Sequence, residues 1–195
     1  MSGPLQFKSC VLAALLAVGV IPVGAGVVHA QTREAPIVKE KNPPGDIPDN
    51  QVFVTYQAPQ GFSLKIPEGW ARKDIVDGAV FSDKYGEIAV SMRPSATAPT
   101  VASVRAKEAA ELINTGRAVK ISAITSVKLP AGPAVRIVYS SNSDPNPVTN
   151  KQIRLENERF LINHNDKLAA LTFSAPAGAD NADQWTLMSQ SFQWR

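Results

Sequence analysis

The sequence predicts an α+β domain in which a central antiparallel β-sheet is flanked by helices. Short runs of alternating apolar and polar residues recur from Val52 to Ser174 and are joined by tight turns, the mark of hairpins. Only two segments, one after Pro99 and one after Asp180, carry apolar residues at helical spacing. These two helices do not alternate with the strands, which argues against a doubly wound parallel fold.

Residues 1–30 read as an export leader. Lys8 is their one charged side chain, and Cys10–Val28 is an uncharged, mostly apolar run of 19 residues that leads into Val28-His29-Ala30. Small or branched residues there suit signal-peptidase cleavage after Ala30, and Pro22, Gly24 and Gly26 break a helix ahead of it. The same run is close to the roughly 20 residues that span a bilayer, so retention as an N-terminal membrane anchor is the other reading. Both readings place the rest of the chain outside the cytoplasm, in the periplasm or at the cell exterior, and a retained anchor keeps it close to the membrane. Residues 31–50 hold four prolines and one glycine among many charges, with neither helical nor strand period. They are expected to form a flexible, solvated linker.

Residues 51–195 make up the domain, long enough to bury a core without disulfides or metals. Val52, Val54 and Tyr56 open a strand, Pro59-Gln60-Gly61 turns the chain, and Phe62, Leu64 and Ile66 alternate back. Val80-Phe81 is a short strand, Asp83–Gly86 a turn, and Ile88, Val90 and Met92 a further strand. Thr100 is the expected N-cap of one helix ending at Gly116, with Ala102, Ala106, Ala109, Leu112 and Ile113 as its apolar stripe. Ile121, Ala123, Thr125 and Val127 share one face of the next strand; Val135, Ile137 and Tyr139 share one face of its successor. Residues 152–163 form a long strand that turns through Asn163-His164-Asn165-Asp166 into 167–174. Its apolar parity slips between Ile153 and Leu155 on one side and Phe160 and Ile162 on the other. That predicts a bulge near Asn157–Arg159 or burial of both faces. Asp180 is the expected N-cap of the last helix, with Trp185, Met188 and Phe192 on one side.

Four stretches together resemble PsbP-like domains. Gly61-Phe62-Ser63-Leu64-Lys65-Ile66-Pro67-Glu68-Gly69-Trp70 is similar to their opening hairpin, and the run from Asn150 to Phe160 to their long strand. The run from Lys167 to Pro176 looks like the strand after it, and Ala179 to Trp185, ending in Ser191-Phe192-Gln193-Trp194, like the closing helix of exported bacterial members. The resemblance implies a PsbP-like α/β/α sandwich over 51–195 and a non-catalytic role. The family's namesake is an extrinsic subunit on the lumenal face of photosystem II. By that likeness the partner is an integral membrane protein complex of an energy-transducing kind, photosynthetic or respiratory. The resemblance carries over no metal ligand and no cofactor.

The residues themselves give little purchase for chemistry. Removal of 1–30 leaves 19 basic against 17 acidic residues and no Lys/Arg cluster, so no nucleic-acid partner is expected. Cys10 is the only cysteine, which excludes a disulfide framework or a cysteine nucleophile in the processed chain. His164 is then the one histidine, in a turn and without a second ligand nearby. Glu156 and Glu158 share a strand face, as a general acid–base pair would, but Arg154 and Arg159 beside them favour a solvated charge ladder. Ser140–Asn150 is rich in oxygen ligands yet lacks the acids and glycine of a calcium loop, and reads as a polar hairpin loop. Trp70 and Trp194 are the candidate partner-binding residues, because tryptophan is enriched where interfaces are anchored. The alternatives to an accessory protein are a small-molecule or lipid-binding domain and, third, a hydrolase.

Overall fold

The computed structural model describes residues 34–195; the expected leader and the first residues of the linker lie outside them. Five strands come first: β1 (Phe53–Ala58), β2 (Phe62–Pro67), β3 (Ala71–Ile75), β4 (Gly78–Ser82) and β5 (Glu87–Pro94). Two helices come next, α1 (Val101–Ala106) and α2 (Glu108–Thr115). Then come β6 (Lys120–Leu129), β7 (Gly132–Asn142), β8 (Arg154–His164), β9 (Lys167–Pro176), α3 (Ala182–Ser191) and β10 (Gln193–Trp194). Seven strands form one antiparallel sheet in the order β3-β4-β5-β9-β8-β7-β6, and three form a smaller one in the order β1-β2-β10. Among the described residues no helix is long and apolar enough to cross a membrane.

Side-chain alternation gives the large sheet two working faces. One carries Ile88, Val90, Phe160, Ile162, Leu171 and Phe173, and it packs against Phe62 and Leu64 of the small sheet and Trp185 and Met188 of α3. The other carries Val135, Ile137, Tyr139 and Leu161 and lies under Val104 of α1 and Leu112 of α2. Helices therefore cover both sides, as expected, with the small sheet sharing one of them.

The parity slip in β8 is not a bulge. β8 keeps unbroken register with β7 and β9, and Phe160, Leu161 and Ile162 are all buried, in the two cores alternately. A strand covered on both faces has no reason to alternate. The irregularity lies instead in β6, between Ile121 and Ala123. It leaves Ile121 opposite Tyr139 on the α1–α2 side, whereas Ala123, Thr125 and Val127 turn to the other, so the four do not share a face.

The single helix expected over 100–116 is two. Thr100 caps α1 by accepting the Ser103 N–H (3.1 Å), but Lys107 (φ −113, ψ −77) breaks the path before α2 begins. The break rotates the helical phase, so no stripe runs through both pieces. Ala102 and Ala106 are exposed, and Val104 is the residue of α1 that reaches the core. Asn181, not Asp180, stands at the head of α3, and its side chain makes no cap bond because it is engaged elsewhere.

Its partner is the segment before β1. Residues 34–50 form no helix or strand and are mostly exposed, yet they are tied to the domain at two points. Asn142 Oδ1 accepts the Ile37 N–H (2.9 Å), and its Nδ2 donates to the Ala35 carbonyl (2.9 Å) and to Glu34 (3.0 Å). Further along, Asn181 Oδ1 accepts the Ile47 N–H (2.7 Å) and its Nδ2 donates to the Gly45 carbonyl (3.0 Å). Ile47 is buried among the core side chains. Gly45 (φ +114) has no room for a side chain: a Cβ there would lie 2.9 Å from Pro176.

Candidate functional site

The two candidate tryptophans do not form one patch. Trp194 pairs with Phe62 at the start of β2, whereas Trp70 comes after the end of β2, a strand about 20 Å long. Both are half-buried and pack against the main core. Trp70 lies over the β4–β5 turn, where a side chain at Gly86 would meet its ring at 2.7 Å. Trp185, by contrast, is buried and stacks on Phe173 (5.8 Å).

Trp194 is the better-built candidate because two rings fix it. Its indole stacks on His164 (centroids 5.6 Å apart) and meets Phe192 edge-on (5.3 Å). Its Nε1 has no hydrogen-bond partner among the described residues. His164 itself is exposed, in a turn where Asn165 and Asp166 take positive φ. A notch of about 230 Å³ opens beside the pair, lined by Gly61, Lys167 and Arg195. Sequence reasoning singled out His164 and Trp194 separately; the fold joins them.

The charge ladder on β8 is less solvated than expected. Arg154 is 8% exposed and is held by the Ala118 carbonyl (2.8 Å), Asn142 Oδ1 (2.9 Å) and Ser140 Oγ (2.5 Å). Glu158 pairs with Arg136. Arg159 points to the opposite face and donates to Thr172 Oγ1 (2.9 Å). Half-buried Glu156 accepts the Gly178 N–H (3.2 Å). Burial first, and then Glu158, hold its carboxyl above the ordinary range, against the Gly178 N–H and Lys39. A raised folded-state pKa gives stability that is full below the unfolded value and is lost as pH rises through the folded one. Glu156→Gln should therefore abolish a decline in stability just above the ordinary carboxylate range. Urea midpoints from about pH 4 to about pH 7 check this; parallel curves for the two proteins would refute it. Glu34 behaves oppositely. Hydrogen bonds from Asn142 and Gln152, aided by Arg117, hold its carboxyl below the usual range.

The 140–150 segment proves to be strand as far as Asn142. Beyond it Asn146 Oδ1 accepts the N–H groups of Val148 and Thr149 (3.0 Å each), so that oxygen folds the loop. Among the described residues no three His, Cys, Asp or Glu side chains converge where a metal could sit.

One feature carried no clear sequence signal. Beside the C-terminal end of α2 an open groove of about 550 Å³ lies on the large sheet, floored by Tyr139, Ser141, Asn157 and Ser174. Asn157, 3% exposed, donates to Ser141 Oγ (3.0 Å) and accepts from Ser174 Oγ (2.7 Å). Asparagine is a poor strand former, and its place in the middle of a central strand was the available cue.

Neither the family models nor the curated protein sequences give a match to this chain. Solved structures do. The solution structure of cyanobacterial PsbP (CyanoP) from Synechocystis sp. PCC 6803 superposes with a TM-score of 0.53 at 14% identity, over 77% of this chain and 98% of that one. The Saccharomyces cerevisiae Ran-binding protein Mog1p superposes with a TM-score of 0.50 at 10% identity, over 74% of this chain and 96% of that one. The chain therefore has the PsbP-like fold, which its sequence pattern implied.

Proposed function

We propose that this chain is a non-catalytic accessory protein outside the cytoplasm that docks on and stabilises an integral membrane protein complex. The observation that carries this reading is Trp194, a large aromatic clamped by His164 and Phe192 yet still partly exposed at the end of the small sheet. An aromatic already ordered before binding loses little freedom on docking, and such residues are the usual interface anchors. The fold supports the reading, since one neighbour of that fold is a Ran-binding protein. The apolar leader supplies the address. The PsbP resemblance points to an energy-transducing complex as the kind of partner.

Gentle solubilisation of native membranes is expected to recover the tagged full chain with an integral complex. Trp194→Ala should lower that recovery about tenfold, the equivalent of about 1.4 kcal/mol, while unfolding stays cooperative. Recovery of the unmodified chain only as a free monomer would overturn the reading. The groove over Asn157 favours a second reading, capture of a small molecule. Its hydrogen-bonded floor suits a polar ligand better than a lipid.

A further inference from the structure

Among the described residues three long strand edges are free, and one of them is undefended. An unpaired edge invites another strand unless charge, proline or a bulge blocks it. The edge strand β3 carries Arg72, Lys73 and Asp74 in succession. The edge strand β6 has Lys120, Lys128 and the irregularity at Ile121/Ala123. β1, the outer strand of the small sheet, has no such device along its length: Phe53–Ala58 holds no charged residue and no proline, and Val52 and Val54 are 58% and 44% exposed.

Its backbone is free in register. The Glu68 N–H donates to the Val52 carbonyl across the hairpin (2.8 Å), and β1 pairs with β2 from Phe53↔Pro67 to Ala58↔Phe62. In an antiparallel ladder alternate residues bond to a given neighbour, so Val54, Tyr56 and Ala58 face β2. The N–H and C=O groups of Phe53, Thr55 and Gln57 then point outward.

We infer that β1 is the docking edge for an extended segment of a partner protein whose side chains alternate between apolar and acidic. A strand added there sends alternate side chains to the two faces of the small sheet, and each face has its own chemistry. On one, Val54 stands beside Tyr56, giving an apolar row that ends where the Arg72 guanidinium lies over the Tyr56 ring (5.5 Å). On the other, Thr55 borders an open groove of about 470 Å³ that Lys65 and Arg195 line with no acidic side chain. A second copy of this chain is the weaker occupant. The uncharged copy of β1 brings no acid to Lys65 or Arg195. The inference rests on the accessory role proposed for the chain and specifies how the partner is held.

The test uses isotope-labelled protein and two synthetic ten-residue peptides, one alternating valine and glutamate, the other valine and lysine. The valine–glutamate peptide should slow amide exchange at Phe53, Thr55 and Gln57 at least tenfold; the valine–lysine peptide should not. Thr55→Pro removes one outward N–H at an edge position where proline is tolerated, and should abolish the protection while Val54 and Tyr56 stay paired with β2. Lys65→Glu, at an exposed side chain, should reverse the preference between the peptides. No protection, equal protection by both peptides, or an unchanged preference in Lys65→Glu overturns the inference. So does concentration-dependent protection of the same amides in the protein alone, which assigns the edge to a second copy. A folded Thr55→Pro chain that still co-purifies with a membrane complex overturns the edge while leaving the accessory reading intact.

Discussion

Phe192→Ala should lower folding stability by about 3–5 kcal/mol, the range for truncating a buried aromatic. Phe192 is fully buried, stacks on Phe62 (5.7 Å) and props Trp194 edge-on (5.3 Å). It joins α3 to the small sheet just where the chain leaves the helix, and its N–H closes the last turn on the Ser189 carbonyl (3.4 Å). Removing the ring opens a cavity between α3 and the small sheet, and it frees Trp194. The denaturation midpoint should fall accordingly, and tryptophan emission of the folded protein should shift to the red. A loss below about 1 kcal/mol would mean that the site collapses around the smaller side chain and that Phe192 does not prop Trp194.

Asn181→Ala should cost about 2–4 kcal/mol, although it removes only a small polar side chain. Asn181 is 2% exposed and ties Gly45 and Ile47 to the head of α3. Alanine deletes both bonds and leaves the Ile47 N–H buried without an acceptor, and that desolvation is the larger part of the cost. A fall in melting temperature of about 10 °C is expected for a chain of this size. Exchange at the Ile47 amide should become fast, and protease should cut within 34–50. A strap that stays protected in Asn181→Ala would show that Ile47 is held by packing alone.

Much of the fold was legible because hairpins and amphipathic helices are written in contiguous residues. The β1–β2 turn at Pro59-Gln60-Gly61, the long β8–β9 hairpin and the Thr100 cap all depend on neighbours a few positions apart. What stayed open or was misread shares a different cause. In β8 the lost alternation reported burial on both faces, which depends on the layers above and below the strand. In β6 the alternation looked regular across the irregularity, because Ala and Thr fit either face. In the first helix Ala102 and Ala106 fit a stripe numerically, but the turn at Lys107 gave the core position to Val104. The candidate site divides in the same way. Trp194 and His164 were visible as residue types, whereas their stacking required β10 to return beside the start of β2.

The sequence by itself determined the class of this protein: an antiparallel α+β domain with a PsbP-like pattern and a single histidine, His164, after residue 30. Tertiary structure alone decided that the proline-rich segment is strapped to the domain. It also decided that Asn142, Asn157 and Asn181 are buried anchors, and that β1 is the open edge. The physical reason is distance along the chain. The bonds that hold the strap join residues 105 and 134 positions apart, and an edge is defined by the strand that is missing beside it.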